Sequence, residues 1–281
     1  MSTASPRSVE TAATRLAAGA SLGIPARTAH VPGVLSPLPA GTVVNVGYVA
    51  SETDADRVDA ARTIARAGLV PVPHVSARRL PSRAALAAYL EALGPDGTGT
   101  RLFVIGGDPS VPAGPFVDAA DVLASDELAH ADPRSVSIGG HPEGHPVIAT
   151  TELWAALAHK ARLIRQSGRD GEIISQLTLD APAALAWIAE ARERGIDLSI
   201  RIGVPGPMAA GPLLRYAEQV RALRTATHLD GRDGTAIVTA DDFLAEFRGG
   251  LDARIHGEVG LHVFALSDPR DVVRWMRGLA A

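Results

Sequence analysis

Cysteine is absent from the 281 residues, which removes disulfides, thiolate metal sites, a cysteine nucleophile and a redox dithiol together. Long apolar runs are absent too: no stretch approaches the roughly 18 residues of a membrane span. The N-terminus, MSTASPRSVETAA, has no apolar signal core, so a soluble, unexported, cytoplasmic protein is expected, with no membrane partner. A net charge of −4 argues against a nucleic-acid partner. No G-x-G-x-x-G follows a strand-like run, which weakens a dinucleotide-type open sheet. No G-x-S-x-G is present, so a serine hydrolase is unsupported. Aromatics are few. Trp154, Trp187 and Trp275 fall at apolar helical positions and read as core.

What is present is a core-forming composition, 46% hydrophobic and 21% charged, arranged in alternating strand and helix patterns. Strands are expected at Ala20 to Ala26, Thr42 to Ala50, Leu69 to Val75, Arg101 to Ile105, Ser135 to Ile138, Glu172 to Leu179, Leu198 to Val204 and Gly260 to Leu266. Helices are expected between them, with Ser51 or Thr53, Thr150, Asp180, and Ser267 or Asp268 as caps. Eight strands alternating with helices predict a (β/α)₈ TIM barrel in a single domain over residues 1–281. Residues 1–19 would form an N-terminal extension with a helix from Val9 to Ala18. Residues from about 225 to 257 would form a helical insertion before the last strand.

Barrel chemistry collects where strands end. The polar residues at those places are Tyr48, His74, Asp108, the His141–His145 segment, Gln176 and Arg201. The densest is SVSIGGHPEGHP, Ser135 to Pro146, where a strand stops at two glycines and His141, Glu143 and His145 follow between prolines. Two imidazoles and a carboxylate can ligate zinc or iron, but H-x₃-H on an extended loop does not force convergence, and no metal is expected. His74 equally suits a core histidine, Asp108 a turn cap, and Tyr48 and Arg201 packing or a salt bridge. Arg78 with Arg79, and Arg162 with Arg165, read as solvated faces; His256 and His262 read as structural.

The ordered set PHVS (Pro73 to Ser76), GGDPS (Gly106 to Ser110), HPEGHP (His141 to Pro146), ISQL (Ile174 to Leu177) and VPGP (Val204 to Pro207) resembles methylenetetrahydrofolate reductase. LPAGTVVNVGYVA, PVPHVSARRLPSR and LAHKARLIRQSG are similar to a short bacterial branch of that family, and the likeness runs from about Ser21 to Leu266. The resemblance implies a flavoprotein barrel in which NADH or NADPH reduces FAD, and 5,10-methylenetetrahydrofolate then takes the hydride to become 5-methyltetrahydrofolate. It implies FAD contacts from His74, Gly106, His141, His145 and Lys160, with Ala119 and Asp121 in the helix whose start wraps the cofactor. Asp108 would face flavin and pterin, and Gln176 would orient the folate, with Tyr48 beside them as a substrate contact. The expected partner is thus a small-molecule folate, and the chain is expected to be a homo-oligomer.

Two positions depart from the family pattern. Gly23 stands where the first strand carries a glutamate that assists protonation of the folate nitrogen, and Gly106 stands where an arginine often contacts flavin. Loss of a general acid typically costs roughly 10²–10⁴-fold in rate, so another acid would be recruited, Glu143, or Asp108 through a water. The alternatives are non-reductive one-carbon transfer, folate binding without turnover and, outside the family, a phosphate-binding barrel enzyme using Pro205-Gly206 after the seventh strand.

Overall fold

The β-branched run VVNVG, which follows a turn at Gly41, forms the kind of strand the whole architecture repeats. In the computed structural model, which describes residue 16 and residues 19–94, 97–145, 147–220 and 222–280, ten strands and eleven α-helices follow one another, with two short 3₁₀ turns at Ala26–His30 and Ala77–Arg79. The strands are β1 (Ser21–Pro25), β2 (Val43–Gly47), β3 (Val70–Ser76), β4 (Arg101–Ile105), β5 (Ser135–Gly140), β6 (Asp170–Leu177), β7 (Ser199–Pro205), β8 (Met208–Ala209), β9 (Ile237–Val238) and β10 (Val259–Phe264). The α-helices are α1 (Asp54–Arg66), α2 (Arg83–Leu93), α3 (Ala119–Leu123), α4 (Asp126–Ala131), α5 (Thr150–Ser167), α6 (Ala181–Glu193), α7 (Ala210–Val220), α8 (Leu223–Leu229), α9 (Asp241–Gly250), α10 (Ala253–His256) and α11 (Pro269–Ala280). Strands β1 to β7 and β10 close into one parallel barrel, with β10 pairing both β7 and β1. This is a (β/α)₈ barrel. The expected helix from Val9 lies, apart from Leu16, outside the described residues.

Local chemistry starts and stops the elements. Thr53 opens α1 with a capping box to Asp56, Asp180 caps α6, and Asp268 rather than Ser267 accepts from the first turn of α11. Thr150 is not a cap. Ala149 holds the N-cap place without a side-chain bond, and Thr150 is already helical. Asp118 opens α3 with a capping box to Asp121. Between β7 and β10, α7 to α10 and the two-residue ribbon β8–β9 fill residues 208–256. Among the described residues, no helix is long and apolar enough to cross a membrane.

Period-2 alternation divides the strand residues between two environments. Leu22, Ile24, Val44, Val46, Ile138, Ile173, Ile202 and Val263 pack outward under the helices, with Ile64, Trp154 and Trp187. The two tryptophans stack at 5.8 Å, whereas Trp275 is half-buried and donates from its indole to Asp241 at 3.0 Å. The interior has an apolar patch of Val72, Phe103 and Ile174 and an unusual share of polar groups. Arg201 pairs with Glu172 at 2.6 Å, so its expected role as a salt-bridge residue holds. The amide of Asn45 is buried with no partner among the described residues. His262, 1% exposed, takes Ser21 Oγ on Nδ1 at 2.8 Å and has the Phe264 ring edge-on at 4.7 Å.

Candidate functional site

Each barrel strand delivers its last residues to one rim, and the candidate residues divide there into three groups. The first lies at the ends of β2 and β3. His74 sits on β3 with its ring edge-on to Phe103 at 4.6 Å. Its Nε2 is buried with no partner among the described residues. Burial, helped by the charge of Arg57, pushes its pKa down to about 3, so the ring is neutral at physiological pH. Tyr48 follows β2, with the guanidinium groups of Arg57 and Arg79 at 4.6 and 4.5 Å from its ring centroid.

The second group gathers at the end of β5. The rings of His141 and His145 meet edge-to-face at 5.4 Å. Lys160, on α5, turns back to donate to the carbonyl of Gly139 at 3.3 Å. Burial lowers the lysine to about 8, opposed by Asp118. Burial also lowers His141 to about 4, with Lys160 and His145 acting in the same direction. A buried cation whose hydrogen bond among the described residues runs to a neutral carbonyl, beside the neutral imidazole of His141, favours an anion.

Glu143 does not join those histidines. Its carboxylate accepts from Thr178 Oγ1 and Thr225 Oγ1, both at 2.6 Å, and from the amides of Arg224 and Thr225 at 2.8 and 3.0 Å. It thereby ties the β5 and β6 loops to the first turn of α8. The cluster HPEGHP therefore does not converge; two of its polar side chains face one way and the carboxylate another, and Pro146 lies outside the described residues. Among those residues no three His, Asp or Glu side chains gather as metal ligands. Glu143→Ala is expected to destabilise the fold by roughly 2–4 kcal/mol, since four acceptor bonds to a charged group are lost at once. Urea unfolding measures this. A midpoint within error of wild type would show that the network contributes nothing.

The third group is looser. Asp108, on the loop after β4, has a side chain 92% exposed and lies 3.6 Å from Arg79. Its charge nevertheless reaches Tyr216 on α7, which burial first, and then Asp108, push up to about 12. A Cβ at Gly106, or at Gly139 on β5, would meet nothing within 4 Å, so both leave open space at the rim. Gln176 ends β6 beside a register slip between Ile174 and Leu177, and its Oε1 accepts from the Leu177 amide at 3.4 Å. Asp121 is spent locally, accepting from the amides of Val117 at 2.7 Å and Asp118 at 3.3 Å, and Ala119 is core.

Several rim residues were read otherwise, or passed over, in the sequence. Arg78 and Arg79 are not a solvated face: Arg78 donates to the carbonyls of Pro109, Ser110 and Val117 at 2.5–2.7 Å, pinning the β4 loop. Arg57 is 4% exposed. The signal for it was present, because Arg57, Ala60, Ala61 and Ile64 share the i, i+3, i+4, i+7 face, and an arginine on a buried stripe needs a reason. Glu52 is buried and accepts from the amides of Ala26 and Arg27 and from Arg27 Nε, each at 3.0 Å, joining the loops after β1 and β2. No protein-family model matches this sequence.

Proposed function

We propose that this barrel is a flavin-dependent oxidoreductase of the methylenetetrahydrofolate reductase type, binding a reduced folate and FAD at the C-terminal rim. The observation that carries the reading is the set of unsatisfied polar groups around a rim with open space: Lys160 with one neutral partner, His74 Nε2 and Ser76 Oγ with none among the described residues, and the side-chain-free walls at Gly106 and Gly139. That donor set fits a large, flat, phosphate-bearing group. Lys160, His141 and His145 would hold its phosphates, and His74 its polar ring or ribityl edge. When bound, FAD supplies the hydride chemistry between NADH or NADPH and the folate. The chain's own residues then bind and orient: Asp108 accepts from the pterin donors, while the Gln176 amide offers both donor and acceptor. Glu143, fully engaged, acts as a strut, which leaves Asp108 through a water as the proton route.

A second reading, folate binding without reduction, is favoured by one observation. The space a first-strand side chain would fill at Gly23 is taken by His262, a buried neutral imidazole. One assay separates the two. The purified protein is expected to be yellow and to oxidise NADH or NADPH when methylenetetrahydrofolate is added. Tight folate binding with no oxidation would leave the second reading. A colourless protein that neither folate nor FAD protects against heat would overturn both.

A further inference from the structure

The cavity of about 200 Å³ between the ends of β2 and β3 is lined by Tyr48, Arg57, His74, Ser76, Arg79 and Tyr89, among others. Four buried polar atoms of these residues have no hydrogen-bond partner among the described residues: Arg57 Nε, His74 Nε2, Ser76 Oγ and Arg79 Nε. An arginine Nε–H can only donate, so the Nε atoms of both guanidinium groups call for acceptors that the described residues do not supply, although Arg57 also donates from one Nη to the Glu52 carbonyl at 3.3 Å. The nearby carboxylates do not remove that need. Glu52 is occupied by Ala26 and Arg27. Asp54 engages only an Nη of Arg57, and Asp108 is an exposed partner at 3.6 Å from an Nη of Arg79, a weak and solvent-screened pair.

The surrounding backbone keeps the cavity clear. Gly107, at φ +94°, covers Ser76 so closely that a Cβ there would collide with the hydroxyl. Arg57 and Arg79 both lie against the Tyr48 ring, which holds two like charges near one another without a shared counter-ion. The volume corresponds to roughly seven water molecules at about 30 Å³ each. That accommodates one small group and not a dinucleotide.

We propose that this cavity binds a compact oxyanion, a phosphate or carboxylate group of a small molecule, gripped by Arg57 and Arg79 with Ser76 and His74 beside them. The assignment shares His74 and Ser76 with the flavin reading of the rim but does not depend on it, and its probes contain neither folate nor flavin. Calorimetric titration of the whole protein with inorganic phosphate in a zwitterionic buffer is expected to show one saturable site with a Kd of roughly 1 mM or tighter. Arg79→Gln and Arg57→Gln are each expected to weaken binding at least about tenfold, the equivalent of ~1.4 kcal/mol. Arg165→Gln, an exposed arginine paired with Asp197, keeps the wild-type affinity. A parallel titration with acetate distinguishes the source: a preference for phosphate points to a phosphoryl group, and a preference for acetate to a carboxylate. If Arg57→Gln does not fold by circular dichroism, Arg79→Gln decides alone. Absence of saturable binding of either anion, or unchanged binding in the folded cavity variants, overturns the proposal.

Discussion

Gly23→Glu is expected to destabilise the barrel severely, and removal of the His262 ring is expected to recover much of the loss. A Cβ at position 23 would lie 2.7 Å from His262 Nε2 and 3.1 Å from Cε1. The imidazole cannot yield easily, because Ser21 holds Nδ1 at 2.8 Å and Phe264 stands against the ring. Overpacking of this kind costs about 1–3 kcal/mol, and a carboxylate drawn into the interior without a donor adds a further few. In a double-mutant cycle of Gly23→Glu and His262→Ala, the coupling is expected to exceed roughly 1 kcal/mol in the relieving direction. Urea midpoints at neutral pH provide all four corners. A Gly23→Glu protein as stable as wild type would show that His262 moves freely and that the glycine is not required. Should the double variant also gain methylenetetrahydrofolate-dependent NADH oxidation, the missing acid alone separated this barrel from an ordinary reductase.

Mild acid is the second large lever. Burial, with His74 and Arg201 acting in the same direction, holds His262 down at about 3, against an ordinary value near 6.5. The unfolded chain therefore binds a proton below about pH 6.5 that the folded chain refuses until about pH 3. Folded stability is unaffected by this group above pH 6.5 and falls as the pH drops through that window. The slope is about 1.4 kcal/mol per pH unit, so lowering the pH from 6.5 to 5 costs about 2 kcal/mol through His262 alone. His74, depressed in the same direction, steepens the fall. Chemical denaturation across this range is the measurement, with His262→Gln as comparison. The variant is expected to show a visibly shallower dependence; identical slopes would mean the ring is protonated in the folded state or hydrated.

The fold was written plainly in the sequence where strand and cap chemistry act locally. RLFVI became β4 residue for residue, and Thr53 and Asp180 cap the helices they precede. The departures have local causes as well. Thr150 was displaced because the extended Ala149 takes the cap place, and α4, six residues within ASDELAHAD, is too short to leave a helical period in the sequence. The site was legible by position and less so by role. Rim placement of His74, His141 and His145 follows from the strand order, whereas that of Lys160, in the middle of α5, does not. Whether a side chain faces the open rim or a neighbouring backbone does not, and so Glu143, set among histidines in the sequence, instead binds Thr178 and Thr225.

Position 23 shows the same division most sharply. The sequence by itself determined that eight short strands alternate with helices, that β1 carries a glycine at position 23, and which polar residues end the strands. Those features depend on neighbours a few residues apart. Only the closure of β1 against β10 decided what the glycine does. It brings His262 into the volume a side chain at 23 would need. The same closing of strands set Arg57 and Arg79 around one tyrosine, since the sharing of space and charge between distant segments exists only once the barrel is closed.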